Sequence, residues 1–391
     1  MAFIQAEELK ALVASADQPC VSIYFPTTRP GQDAHQNLIR LKNRVTAVET
    51  QLCDRDWRAA QIDELLQPLR RALPDDNTNF WKQQTGGLVA FLAPSRFYYN
   101  SLPLDFEPLS IVAERFYIKP LLPLFTEREP FYMLAIAKNS LRLLWCDQQQ
   151  SSEVDLSDLP LSLAAALRFD DPEKQLQFHS SQGGGRAPVY HGHGRSGTDD
   201  KDDLRRWFQQ VDAVLGDRYQ DRPAPLVLAG VEYLTALYRE LSAYPDLMSE
   251  SINGNPEAVT ATELGEQAQQ LLQPRQARRY QEMVSRYREL LGTGQATADV
   301  QAVMNAALRG QVETLFVPRR DQLWGRMDPD TGQIILDNTD HEWREDLANL
   351  AAVCTFQQGG SVYVVDADAM PSPTAAAAIL RYPVMAGQPS R

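Results

Sequence analysis

The chain has 391 residues, a formal net charge of −13 and 43% hydrophobic residues. That length exceeds one ordinary core, so two or three domains are expected. The acid excess excludes a domain that binds nucleic acid by bulk charge, so any RNA contact has to be local. No apolar run reaches the ~18 residues of a membrane-crossing helix. The opening MAFIQAEELKAL is charged too early for a signal-peptide core, and a cytoplasmic location is expected.

Residues 1–125 read as a mixed α/β domain. The pattern predicts a helix over Glu7–Ser15, a strand over Cys20–Pro26 and a long helix over Asp33–Leu52. In the long helix Leu38, Leu41, Val45, Val48 and Leu52 recur at three- and four-residue steps. A helix over Trp57–Leu73 and strands at Leu88–Leu92, Phe97–Asn100 and Ser110–Tyr117 follow. The proline-rich stretch Pro120–Pro130 reads as a linker.

Residues 126–255 open with a hairpin, FYMLAIA and LRLLWCD around Lys138-Asn139-Ser140. Asp199–Leu215 is the clearest helix, with Leu204, Trp207, Phe208, Val211, Val214 and Leu215 on one stripe. Thr198 suits its N-cap, and Asp199, Asp200, Asp202 and Asp203 suit the positive end of its dipole. A strand at Leu226–Ala229 and a helix at Glu232–Ser242 complete the segment.

Residues 256–391 alternate helices and strands, which argues for an αβα domain. Two helices are expected on either side of Pro274, Ala261–Leu272 and Gln276–Leu291. The second carries Arg278, Arg279, Arg286 and Arg288. A helix at Asp299–Leu308, a strand at Thr314–Val317, a helix at Glu345–Phe356, a turn at Gly359-Gly360 and a strand at Ser361–Val365 follow. Four well-separated cysteines, Cys20, Cys53, Cys146 and Cys354, read as buried free thiols.

The most distinctive stretch is 174–198, KQLQFHSSQGGGRAPVYHGHGRSGT. It has no Asp or Glu, and it holds six glycines and three of the five histidines of the chain. Such a segment buries little apolar surface and reads as a long loop. Long loops inside compact domains are usually functional or disordered. Its local positive character fits an anionic partner.

Several blocks together resemble the bacterial relatives of the archaeo-eukaryotic peptide-chain release factors, the baeRF family. They are SIYFPT, FHSSQ…YHGHG, PLVLAGVEYL, GQVETLFVP and EDLANLAAVCTFQQGGSVYVVDADAMP…AAILRY. The resemblance implies three domains: a variable N-terminal domain, an RNase-H-like middle domain, and a C-terminal αβα domain of the kink-turn-binding ribosomal-protein type. It implies a tRNA mimic whose partners are the ribosome, through ribosomal RNA, and a translational GTPase. In release factors the corresponding loop carries Gly-Gly-Gln and promotes hydrolysis of peptidyl-tRNA at the peptidyl-transferase centre. Here Gln182-Gly183-Gly184-Gly185 and His191-Gly192-His193-Gly194 stand instead. Related rescue and hibernation factors act by occupying the ribosomal A site without cleavage.

Within the loop, His179, Gly183, Gly184, Gly185, Arg186, Tyr190, His191, Gly192, His193, Gly194 and Arg195 form the candidate RNA-binding set. The glycines let backbone approach phosphate, the arginines pair with it, and Tyr190 and the histidines stack on bases. Hydrolysis, if performed, would use His191 or His193 as a general base or Gln182 to position water. An alternative is a metal-dependent RNA or nucleotide hydrolase built on His179, His191 and His193, with Asp199 and Asp200 nearby in sequence. No zinc-type spacing occurs, and no metal or other cofactor is expected. Gly359-Gly360 lacks the lysine and spacing of a phosphate-binding P-loop. The arginines of Gln276–Leu291 read either as a solvated, salt-bridged face or as an RNA contact. Trp324 reads as a turn residue or as core.

Overall fold

A computed structural model describes residues 6–14, 18–27, 35–73, 80–81, 86–102, 104–126, 129–147, 151–170, 197–219, 224–327, 333–336 and 345–383. The chain is a mixed α/β protein that clusters into two compact units. One joins Met1–Glu127 with Arg279–Arg391; the other is Arg128–Arg278.

The first unit begins with α1 (Ala6–Ala14), β1 (Cys20–Pro26), α2 (His35–Cys53) and α3 (Ala59–Ala72). Three strands follow, β2 (Gly87–Ala93), β3 (Arg96–Leu102) and β4 (Leu109–Ala113). They form an antiparallel sheet of order β3-β2-β1-β4. Side chains alternate across the pleat. Val21, Ile23 and Phe25 pack with Leu41, Val48, Ile62 and Leu66 of α2 and α3, while Cys20 and Tyr24 join the opposite core.

The boundary between the two units falls within Pro120–Pro130, but the first part of that stretch is helical. It holds a 3₁₀ turn, Lys119–Leu121, and the short helix α4 (Pro123–Thr126), with Leu121, Leu122 and Leu124 fully buried. Proline is tolerated in a first helical turn, where its missing N–H has no intrahelical partner, so these prolines start short helices and the leucines fill the core.

The second unit contains β5 (Phe131–Ile136), β6 (Leu141–Cys146), β7 (Ser151–Val154), α5 (Leu163–Asp170) and α6 (Gly197–Tyr219). It continues with β8 (Leu226–Gly230), α7 (Glu232–Leu241), β9 (Leu247–Asn253) and the start of α8 (Ala261–Leu290). The five-stranded sheet has the order β7-β6-β5-β8-β9. β5–β6–β7 pair antiparallel, and β8 and β9 run parallel to β5. β5 is buried on both faces. Tyr132, Leu134 and Ile136 pack with Trp207, Phe208 and Val211 of α6 and with Leu234 and Tyr238 of α7. Phe131, Met133 and Ala135 pack with Leu264, Ala268 and Leu272 of α8.

The two helices expected around Pro274 are one, α8, with the proline inside. An interior proline forfeits a backbone hydrogen bond and costs about 3 kcal/mol. Burial of Leu264, Ala268 and Leu272 before it and of Val284 and Tyr287 after it offsets that cost. Arg275, next to the proline, forks onto both carboxylate oxygens of Asp246 at 2.8 Å and reaches Glu129 at 3.2 Å.

The remainder of the first unit adds β10 (Ala296–Thr297), α9 (Val300–Leu308), β11 (Val312–Pro318), β12 (Trp324–Met327), β13 (Ile334–Leu336) and β14 (Glu345–Asp346). It ends with α10 (Leu347–Gln357), β15 (Ser361–Val365) and β16 (Ala377–Leu380). The sheets are β10-β16-β11-β15 and β13-β12-β14. Trp324 lies in a strand and is partly buried against the core, as is its neighbourhood: a Cβ on Gly325 would meet Ile335 O at 2.8 Å. One continuous core takes Leu9 and Leu12 of α1, Phe91 of β2, Leu350 of α10 and Val317 of β11. The first and last stretches of sequence thus share apolar packing.

A buried polar network crosses that core. Lys119 Nζ donates to Asp321 O at 2.8 Å and to Asp346 Oδ2 at 3.2 Å, with both side chains of the ion pair fully buried. Asp346 Oδ1 accepts from Leu323 N and from Ala348 N, the latter capping α10. Asn349 Oδ1 accepts from Ile118 N and Lys119 N, and its Nδ2 donates to Phe116 O. Two residues beyond α10, Gly359 turns the chain with a φ of +74°, open to glycine at little cost.

Candidate functional site

The whole RNA-binding set of the long loop, His179, Gly183, Gly184, Gly185, Arg186, Tyr190, His191, Gly192, His193, Gly194 and Arg195, lies outside the described residues, as does Gln182. What the structure describes is the base from which that segment leaves and to which it returns. Helix α5 precedes it and α6 follows it, and the two pack on the same face of the five-stranded sheet.

Three contacts fix α6 in place. Trp207 Nε1 donates to Pro160 O at 2.8 Å, just ahead of α5. Arg218 donates to Asp155 O and to Asp158 Oδ2, both at 2.8 Å. Asp212 accepts from Tyr238 Oη at 3.1 Å, from Ser242 Oγ and from Ala243 N at 2.8 Å, which pins α6 to the end of α7. Burial, then the Asp212 carboxylate, holds the Tyr238 phenol well above its ordinary value, so it remains a neutral donor. The two helices that flank the long segment in sequence are therefore well packed.

Helix α6 starts at Gly197, so Thr198 sits inside the first turn and is not the residue before it. The sequence TDDKDD still gives that end an acidic first two turns. Arg205 lies 3.6 Å from both Asp202 and Glu240. Among the described residues no group of three or more His, Cys, Asp or Glu side chains converges as a metal site.

Other reactive groups are held structurally. Cys20 and Cys146 are buried and Cys354 half-buried, but Cys53, at the end of α2, is exposed, against the expectation of four buried thiols. The apolar stripe of α2 ends at Leu52, so the next position turns outward. Burial pushes the Cys146 thiol up to about 11 and raises Cys354, so neither is an activated nucleophile. Lys119 is lowered by burial, against the opposing pull of Asp346. Glu345 is raised by burial, which outweighs Arg115 at 2.8 Å. Sequence reasoning missed this Lys119–Asp346 pair: its partners are far apart in the chain, and nothing local marks either as buried.

The arginines of α8 divide. Arg286 Nη1 and Nη2 fork onto Glu313 Oε1 and Oε2 at 2.5 and 3.0 Å, as a salt-bridged face would have it. Arg278, Arg279 and Arg288 are also exposed.

Comparison with known proteins gives the following. The model of bacterial archaeo-eukaryotic release factor family 7 matches residues 131–274, nearly the extent of the second compact unit. No curated protein matches the sequence. Among solved structures, an archaeal translation termination factor, aRF1, aligns at 14% identity over 97% of this chain and 99% of its own, with a TM-score of 0.24. Archaeal Pelota, from a model of ribosome-bound Pelota and ABCE1, aligns at 12% identity over 97% and 94%, with a TM-score of 0.39. Dom34 of S. cerevisiae, described as a translation termination-like factor in RNA quality control that interacts with Hbs1, aligns at 11% identity over 74% of each chain, with a TM-score of 0.33.

Proposed function

We propose that this chain is a ribosome-associated translation factor, a reading supported by the match of residues 131–274 to the bacterial archaeo-eukaryotic release factor family 7 model. The observation that carries the reading is the family match over the unit whose α5 and α6 bracket the acid-free segment 174–198. In this reading the segment extends toward the peptidyl-transferase centre. Its glycines allow close backbone approach to RNA, Arg186 and Arg195 pair with phosphate, and Tyr190, His179, His191 and His193 stack on bases. The well-packed α5–α6 base supplies a firm stem for it. The mixed five-stranded sheet with helices on both faces supports an RNase-H-like middle domain.

The sequence lacks Gly-Gly-Gln, so occupation of the A site is the primary action, and termination, rescue and hibernation are its possible settings. A translational GTPase is the partner proposed for the C-terminal α/β portion. The test is cosedimentation with purified ribosomes, followed by peptidyl-tRNA release. Wild type and His191→Ala/His193→Ala are expected to sediment with ribosomes. Equal, background-level release by both is the result for an occluding factor; release lost only in the double variant assigns hydrolysis to those histidines. A protein absent from ribosomal fractions in growth and in stress overturns the reading.

A further inference from the structure

The last half of α8 lies across one face of the sheet β10-β16-β11-β15. Its Tyr280 meets Tyr363 of the outer strand β15 at 5.5 Å, and Tyr363 stacks on Phe316 at 5.6 Å and 16°. Beside this aromatic floor is an open cleft of about 320 Å³. Arg279 and Arg286 of α8 line it from one side, and Arg381, just after β16, also lines it. Thr314, Ser361 and Tyr363 are the hydroxyl-bearing residues in its lining.

Arg286 and Arg381 each have a partner within the protein. Arg286 is fixed by its fork on Glu313. Arg381 Nη2 donates to Gln358 O at 2.9 Å, and its backbone N donates to Gln311 O at 2.8 Å. The side-chain bond takes one of the five guanidinium N–H donors, which leaves others for a ligand in the cleft that Arg381 lines. Three arginines against Glu282 and Glu313 make a locally positive lining on a chain of net charge −13. The three arginines line a concavity at the small end of the ~300–1,000 Å³ range of ligand sites.

We infer that this cleft binds the phosphate of a nucleotide unit, with Arg279, Arg286 and Arg381 as its donors and the edge of Tyr363 beside the base. The inference rests on the translation-factor reading for the identity of the anion, an RNA strand; a free nucleotide offers the same chemistry. Phosphate contacts of this kind anchor a protein without reading sequence.

The test uses the full chain, a fluorescein-labelled 12-nucleotide single-stranded RNA, and AMP as competitor. Arg279→Gln/Arg381→Gln removes two exposed cations, and Arg71→Gln, an exposed arginine of α3 outside the lining, is the control. Circular dichroism and thermal unfolding verify that each variant keeps the fold. The double variant is expected to bind the RNA at least tenfold more weakly at low salt. Its log–log salt slope should be shallower by about 1.4, from ~0.7 per phosphate contact on a single strand. The control should match wild type. Displacement by millimolar AMP assigns the site to free nucleotide as well; no displacement assigns it to the strand.

A wild type that does not bind the RNA, or a double variant with unchanged affinity and slope, overturns the inference. Cosedimentation of the same proteins with ribosomes separates the two claims. Ribosome association with no effect of the double variant on RNA binding sinks the cleft alone. RNA bound through the cleft by a protein that never meets ribosomes sinks the translation reading alone.

Discussion

Asp346→Asn probes the polar centre of the first unit with little change of shape. Asp346 Oδ2 faces Lys119 Nζ at 3.2 Å, while Oδ1 takes backbone N–H groups from Leu323 and Ala348. The amide retains a carbonyl oxygen for the two backbone donors but removes the carboxylate that pairs with the fully buried ammonium. Breaking a buried pair by neutralising one member typically costs 3–5 kcal/mol, because the other charge remains in low dielectric. Lys119 keeps Asp321 O at 2.8 Å, so about 3 kcal/mol is expected. With a urea dependence of ~3 kcal/mol per molar, the unfolding midpoint of the first unit should fall by about 1 M. Asp346→Ala should cost ~1 kcal/mol more through the lost cap of α10. The assay is urea unfolding read by amide exchange in α10 and β1, which isolates this unit from the other. A midpoint shift below about 0.3 M for Asp346→Asn would refute the premise that the pair is dry and strongly coupled.

Other outcomes follow from the same structure. Pro274→Ala should raise the thermal midpoint, because alanine restores a helical N–H; the gain stays below the ~3 kcal/mol of an ideal interior site if the helix is already bent there, and a lowered midpoint would contradict it. Gly360→Ala should destabilise by about 1–3 kcal/mol in chemical denaturation, since its Cβ would lie 2.6 Å from Thr355 Cγ2 and 2.8 Å from Val312 O; an unchanged midpoint would show that the turn relaxes freely. Glu345 has a folded-state value raised by burial, so its contribution is fully present below the unfolded carboxylate range and is lost as pH rises through the folded value. Glu345→Gln should therefore flatten the fall of stability as pH rises above the ordinary glutamate range, measured by urea midpoints at successive pH values.

Much of the architecture was readable because it rests on strong periodicity. The hairpin at Phe131–Cys146 and the stripe Leu204–Leu215 announce a buried strand pair and an amphipathic helix, and both stand in the structure. The edge strands β7 and β9 were not legible. Their sequences, SSEV and LMSESIN, are half-exposed and carry no apolar run, as edges usually are. At Pro123 and Pro274 proline's local preference is overridden by burial on either side, which only tertiary packing supplies. The arginines of α8 were visible as a basic helix. Their convergence with Arg381 was not, since that residue joins them only through the pairing of β16 with β11. The loop set is legible only from composition and resemblance, and it lies outside the described residues.

Directed hydroxyl-radical probing locates segment 174–198 on the ribosome. A cysteine placed at Gly192, in a background with exposed Cys53 replaced by serine, carries the iron probe on ribosome-bound protein. Strand cuts confined to the large-subunit RNA around the peptidyl-transferase centre are expected. Cuts elsewhere, or none while the protein remains bound, overturn the ribosomal reading of the segment.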